Sequence, residues 1–391
     1  MLFLLLLLCV SAAAQTETWR EHRARGDELR DAGSFTQAED AYAAALSEAE
    51  KFGPWDPRVA ACLNSLALLY YAQRNYLPAE QLYQRSLDIL EKSIGSENLE
   101  FATLLSNLAE LYRISGQLEK AEPVYRRWLE ISERVVGPAD PRMASALREF
   151  AKFYFEQQRY AEAAELAERA LAITEQEKGP NDLSLAAMLS DLAVIHSAAG
   201  EYGRAEPLLQ RSLAIRKGAV NTDNLAIAGT LETLAEVYAN RWSLAEAEEC
   251  LRREVALREE QMGAAHPDIA AALTNLAELY RLQRFFTEAE PLFRRALAIW
   301  EKAAGADSDE VAGALLNLAA MYRDQERFDE ARPLFERALT ILEKSWGAAD
   351  ANVAVVRRVY ATMLRAMGDI QEAGRQEKLA EAAPSEIIKT P

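Results

Sequence analysis

The chain has 391 residues, half of them apolar and 27% charged, a balance that suits a packed soluble protein and sets aside disordered and collagen-like classes. Lys and Arg number 44 against 61 Asp and Glu, so the net charge is −17. A surface of that sign repels nucleic-acid phosphates and anionic lipids, and no nucleic-acid partner is expected.

Leu2 to Val10 is an unbroken apolar run, followed by Ser11, Ala12, Ala13 and Ala14. Ala12 and Ala14 are small enough for a signal peptidase pocket, so residues 1–14 read as a signal peptide cleaved before Gln15. Roughly 14 apolar residues fall short of the about 20 needed to cross a bilayer, and no transmembrane span is predicted. The run has no Lys or Arg ahead of it, which a start codon placed a few residues late would explain. Leu8 is too bulky for a lipoprotein anchor at Cys9. Export to a periplasmic or extracellular setting is the expectation.

Beyond this segment a single unit recurs. Alanine returns at 67, 109, 151, 193, 235, 277, 319 and 361, always 42 residues apart, and an earlier unit centred on Gly26 fits with one residue fewer. Within a unit, Leu63, Leu66, Ala67 and Tyr70 share one helical face by their i, i+3, i+4, i+7 spacing. A short turn such as Arg74-Asn75 or Ser115-Gly116 leads to a second helix, with Ala79, Leu82, Tyr83, Leu87 and Leu90 on its apolar face. Pro78, Pro123, Pro207, Pro291 and Pro333 are read as first-turn residues of these second helices, where a missing N–H costs nothing. Gly95, Gly137, Gly179, Gly263, Gly305 and Gly347 end them, and Pro57, Pro141 and Pro267 open the next unit's first helix.

The alanine column lets the two helices of a unit lie close, and the tyrosine column fills the space between units. One pair cannot bury its apolar face alone, so pairs stack. The predicted fold is all-α, a right-handed α-solenoid superhelix of antiparallel helix pairs over residues 15–383, about nine units, with 384–391 as a loose tail. In the unit beginning near Asp182 a glycine comes early, at Gly218, and His196 replaces tyrosine, which predicts a shorter second helix and a local bend. The last unit carries Arg357 in the leucine column and Leu364 in the tyrosine column, with Arg375, Gln376 and Glu377 adding the polarity of a closing helix. Cys62 and Cys250 sit four units apart as small apolar fillers, on the order of 40 Å for helices spaced about 10 Å, and are predicted to be free thiols.

Leu63-x2-Leu66-Ala67-x2-Tyr70 followed by Ala79-x3-Tyr83 resembles the tetratricopeptide signature. The 42-residue length is similar to the kinesin-light-chain subtype, as are His266-Pro267-Asp268-Ile269-Ala270 and Ala289-Glu290-Pro291-Leu292-Phe293-Arg294-Arg295-Ala296-Leu297. The resemblance covers about residues 17 to 383 and implies a binder of peptides and proteins. The export signal argues against a motor subunit and for a bacterial envelope protein.

In such repeats the first helices line the concave surface. An advance of about 100° per residue aligns Asn107, Glu110 and Arg113 along it. The triplet recurs as Asn275, Glu278 and Arg281, and in part as Asn317, Ala320 and Arg323. An Asn amide can donate to and accept from a peptide backbone, and Arg can hold a carboxylate in a fork. The resemblance implies a peptide clamp at Asn107, Asn275 and Asn317, with Arg113, Arg281 and Arg323 beside them; Glu110 and Arg113 can equally pair with each other on a solvated face. Glu149, Asp191 and Thr233 break the column in the middle units, where Arg148 and Lys152 add positive charge.

His22, His196 and His266 lie in distant units, and no metalloprotease, nucleophile-elbow, phosphate-loop or paired-cysteine motif appears. No enzymatic activity, metal or cofactor is predicted. The expected function is a monomeric protein-interaction scaffold binding a peptide or partner protein; the alternatives are a regulatory partner of a separate effector enzyme, such as a caspase-like protease, or a self-assembling structural protein.

Overall fold

The structure is a computed structural model that describes residues 18–220 and 223–382. The expected signal peptide (1–14) and tail (384–391) lie outside these residues. The described chain is helical throughout, without a strand, and forms two compact units divided between Pro180 and Asn181. The first unit holds α1 (18–31), α2 (Phe35–Glu50), α3 (Pro57–Ala72), α4 (Tyr76–Ser93), α5 (Leu99–Ile114), α6 (Leu118–Val136), α7 (Pro141–Glu156) and α8 (Tyr160–Lys178). The second holds α9 (Leu183–Ala198), α10 (Tyr202–Gly218), α11 (Asn224–Asn240), α12 (Leu244–Met262), α13 (Pro267–Leu282), α14 (Phe286–Ala303), α15 (Asp309–Asp324), α16 (Phe328–Trp346), α17 (Ala351–Ala366) and α18 (Ile370–Glu381). Within each unit, sequence neighbours pack as pairs, and each pair packs on the next.

Two local devices set the helix boundaries. Every first helix from α3 to α17 starts at a capping side chain: Asp56, Asn98, Asp140, Asp182, Asp223, His266, Ser308 and Asp350 each accept a backbone N–H of the first turn, which would otherwise lack a partner. The turn inside each pair passes through the left-handed region at one fixed position, occupied by Gly116, Gly200 and Gly368 but also by Arg74, Gln158, Trp242, Arg284 and Glu326, at φ of 58° to 62°. At the first of these, Asn75 N–H donates to Tyr70 O at 2.8 Å and Arg74 N–H to Tyr71 O at 2.9 Å, a paired closure of the last helical turn.

That turn, rather than proline, starts the second helices. Pro78 does stand in the first turn of α4, but Pro123, Pro207, Pro291 and Pro333 are each the sixth residue of their helix, inside it rather than at its start.

The alanine column is buried in all eight units, as its close-approach role requires. In the earliest pair Gly26 takes the alanine's place because the Tyr42 ring fills the space, and a Cβ there would stand 2.4 Å from Tyr42 Cε1. Cys62 and Cys250 are buried and free, and burial pushes both thiols up to about 11. Helix α10 ends at Gly218 after 17 residues, against 19 in α6, α8, α12 and α16, which is the shortening its early glycine predicts. Arg357, which stands in the leucine column, is a buried side chain like the leucines it replaces. Its Nη1 donates to Ala348 O at 2.9 Å and Leu379 O at 3.2 Å, and its Nη2 to Glu343 Oε1 at 2.8 Å, so it ties α18 to the end of α16 and the start of α17.

Candidate functional site

The expected ligand face is formed by the first helices of each unit. In the first unit Asn107 on α5 is half-buried, and its Nδ2 donates to Asn64 Oδ1 on α3 at 2.9 Å. Arg113, one turn and a half further along, reaches Glu110 through Nε and Nη2 at 2.7 Å each, and Glu156 on α7 through Nη1 at 2.6 Å. Hydrogen bonds donated to Glu110 and then to Glu156 raise the guanidinium's pKa against the opposing effect of burial, so its charge is fixed and its fork is full.

The second unit repeats the arrangement. Asn275 on α13 is exposed and its Nδ2 donates to Glu232 Oε1 on α11 at 3.3 Å. Arg281 binds Glu278 on its own helix at 2.9 Å and Asp324 on α15. Burial works against the Arg281 charge, but the two carboxylates outweigh it and the pKa rises. Arg323 spends its fork on the neighbouring Asp324 at 2.8 Å. The half-buried amide of Asn317 has no side-chain partner among the described residues. The Asn and Arg columns are thus brought onto one face of each unit, but Arg113 and Arg281 serve as ties between successive first helices and Arg323 pairs within its own, whereas the asparagines retain donors or acceptors for a ligand. In the middle units Glu149 and Lys152 are exposed on α7, and Thr233 donates to Gly229 O at 3.1 Å.

Two features of this framework were not legible as function from single positions. In four of the first helices a tyrosine donates to a glutamate 32 residues earlier on the preceding second helix: Tyr112 to Glu80 at 2.9 Å, Tyr154 to Glu122 at 3.1 Å, Tyr280 to Glu248 at 2.8 Å and Tyr322 to Glu290 at 2.7 Å. The repeated Ala-Glu dipeptide opening the second helices was the available signal. The other is Glu254 on α12, fully buried at a position that is Ser86, Ala170, Ser212, Ala296 and Ala338 in other units. Its Oε1 accepts from Arg258 at 2.8 Å, Arg258 also reaches Glu232 at 2.9 Å, and its Oε2 has no partner among the described residues. Burial, then repulsion from Glu232, lifts the Glu254 carboxyl to about 7 although Arg258 opposes the shift.

Among the described residues no group of His, Cys, Asp and Glu is disposed to hold a metal ion, and no helix is long and apolar enough to cross a membrane. The face offers amide donors and acceptors between fixed ion pairs, a chemistry of recognition.

The family model for the tetratricopeptide repeat matches residues 22–92, 100–175, 142–218, 226–302, 268–344 and 310–383. The chain belongs to the tetratricopeptide repeat family, and its repeats make it a protein-interaction scaffold. No curated protein matches its sequence. Among solved structures, aspartyl phosphate phosphatase F from Bacillus subtilis is 13% identical, covering 95% of this chain and 97% of its own at a TM-score of 0.53. The apo form of RapI is 17% identical over 72% of this chain and 97% of its own, with a TM-score of 0.52. The kinesin-light-chain-type, nearly identical repeats of Podosopora anserina are 25% identical over 53% of this chain and 98% of theirs, at 0.49. The two former likenesses support the fold.

Proposed function

We propose that the chain holds an extended peptide segment of a partner protein on the face lined by α13 and α15, with Asn275 and Asn317 gripping the peptide backbone. The observation that carries this reading is the pair of amides 42 residues apart on neighbouring first helices, one exposed and one without a side-chain partner among the described residues. An amide offers a donor and an acceptor together, as a peptide bond does, so the pair suits a backbone running across the helices. Arg113 and Arg281 act in this reading by holding successive helices in place, Arg323 pairs with Asp324 on its own helix, and Asn107 with Asn64 forms a corresponding site in the first unit. The protein works as a non-enzymatic monomer, takes no nucleic acid, and is exported behind residues 1–14 to the periplasm or the cell exterior.

The test is to select peptides that bind the full chain from a displayed library and to measure each against Asn275→Ala/Asn317→Ala. Affinity is expected to fall about tenfold or more, the worth of two lost backbone hydrogen bonds, at unchanged thermal stability. Equal affinities for parent and variant would remove the clamp from these residues. For export, the mature N-terminus of protein expressed with its own first residues is expected at Gln15.

A further inference from the structure

A second site of different chemistry lies in the first unit. A cavity of about 380 Å³ opens between α1, α3 and α5, lined by Trp19, Arg20 and Arg23 from the first, Arg58 and Asn64 from the second, and Glu100 at the start of the third. Three guanidiniums face one carboxylate there, in a chain whose net charge is −17. Such a local excess is not what a solvated, acidic surface provides by default.

The arginines also have fewer carboxylate partners than those that tie the repeats together. Arg113, Arg281 and Arg327 each fork onto two carboxylates. Arg20 and Arg23 make no ion pair among the described residues, and instead stack their guanidiniums on the Trp19 ring at 5.7 and 5.3 Å. Arg58 lies over the Phe52 ring at 3.9 Å and touches Asp56 only at 3.7 Å. An aromatic face holds a guanidinium in place while leaving its in-plane N–H donors free. Asn64 accepts from Asn107 through Oδ1, which leaves its own amide N–H donors available. Trp19, the ring over which two of these guanidiniums lie, is itself buried and so fixed in place.

These observations share one solution, an acceptor-rich and negatively charged group in the cavity. We propose that this cavity is an oxyanion-binding site, taking a ligand that bears a compact, multiply charged phosphate or carboxylate group. Arg20, Arg23 and Arg58 supply planar forks and Asn64 a neutral donor. The volume accommodates a group the size of pyrophosphate or citrate. The site is distinct from the clamp at Asn275 and Asn317, which lies in the other compact unit, and its one link to the clamp chemistry is Asn64, which also pairs with Asn107.

The experiment is isothermal titration of the full chain with inorganic pyrophosphate and with citrate at constant ionic strength, sodium chloride being the balancing salt. Saturable binding of at least one anion at one site per chain is expected. Arg20→Gln/Arg23→Gln should weaken it about tenfold or more, because each fork to an oxyanion is charge-assisted, while leaving the unfolding temperature unchanged. Arg85→Gln, outside the cavity lining and paired with Glu50, should leave binding unaltered and marks the specific loss. Pyrophosphate bound in preference to citrate assigns a phosphate ligand, the reverse a carboxylate, and comparable binding of both supports the shared chemistry. Heats that never saturate, or that survive the double substitution, would overturn the proposal.

Discussion

Two buried charges occupy columns that the repeat otherwise fills with apolar or small residues, and they are held very differently. Arg357, in the leucine column of the α17–α18 pair, has two backbone carbonyls and Glu343 as acceptors, with only its Nε unpartnered among the described residues. Glu254, in the small-residue column of the α11–α12 pair, has Arg258 alone, with Glu232 opposing it and one oxygen unpartnered among the described residues. What a buried charge does to a fold is decided less by burial than by the number of its partners. The difference makes Arg357 a structural tie and Glu254 a titrating group.

The largest effect should come from Arg357→Ala. Removing one side of a buried, hydrogen-bonded charge costs about 3–5 kcal/mol, and here it also strands two carbonyls. Urea unfolding should show the loss, and hydrogen exchange should place it in α17 and α18. Arg357→Met probes the same point from the other side: if the apolar replacement is as stable as the parent, the tie contributes no net stability and the contrast with Glu254 collapses.

Glu254→Gln should act next, and only in one pH window. A carboxyl whose folded pKa stands above its unfolded value of about 4.3 binds its proton more tightly when folded. Its contribution is fully present below that pH and is lost as pH rises through about 7. The parent should therefore lose up to about 3 kcal/mol between pH 4.5 and 8, at roughly 1.4 kcal/mol for each pH unit separating the folded from the unfolded pKa, and the variant should not. Unfolding temperatures of the two across that range should diverge as the pH climbs. Parallel curves would place the Glu254 proton elsewhere.

Tyr322→Phe extends the comparison to a buried polar group with a full set of partners. The Tyr322 hydroxyl donates to Glu290 at 2.7 Å and accepts from Arg294 at 2.7 Å. Loss of these charge-assisted bonds is expected to cost about 1.5–3 kcal/mol. Tyr83, buried as deeply, lies in a second helix and makes no such pair among the described residues, so Tyr83→Phe should change stability far less.

The contrast also shows where sequence reading reaches and where it stops. The 42-residue period, the alanine column and the apolar faces are local patterns repeated many times, and the helix pairs follow from them. The fate of a polar residue depends on what stands across the seam. Glu110 and Arg113 satisfy both a ligand-binding and a self-pairing pattern on one helix, and only the arrival of Glu156 from α7 commits the arginine to the fold. At position 357 an arginine stands in the leucine column, and three acceptors from separate segments, which the repeat pattern does not show, hold it inside. The proline column misled because Pro123 and its equivalents sit one turn beyond a boundary that the left-handed turn had already set. The cavity at Arg20, Arg23 and Arg58 joins residues from three helices, and no periodicity announces it.

Trp242→Gly supplies the smallest effect and a control for the second. Trp242 closes the turn between α11 and α12, the pair that carries Glu254, with φ at 61° and its side chain 82% exposed. An L-residue in the left-handed region costs about 1–2 kcal/mol, which glycine avoids, while glycine's extra freedom in the unfolded chain returns part of the gain. Gly116, Gly200 and Gly368 hold the same position in other pairs, so the turn tolerates glycine without rearrangement. The variant should gain about 0.5–1 kcal/mol, and because no titrating group is involved, the gain should be the same at pH 4.5 and pH 8. Measured beside Glu254→Gln in the same helix pair, it separates a backbone effect, flat in pH, from a proton-linked one. A gain from Trp242→Gly that grew with pH would mean that the turn and the buried carboxyl are coupled, and that Glu254 answers to more than its immediate partners.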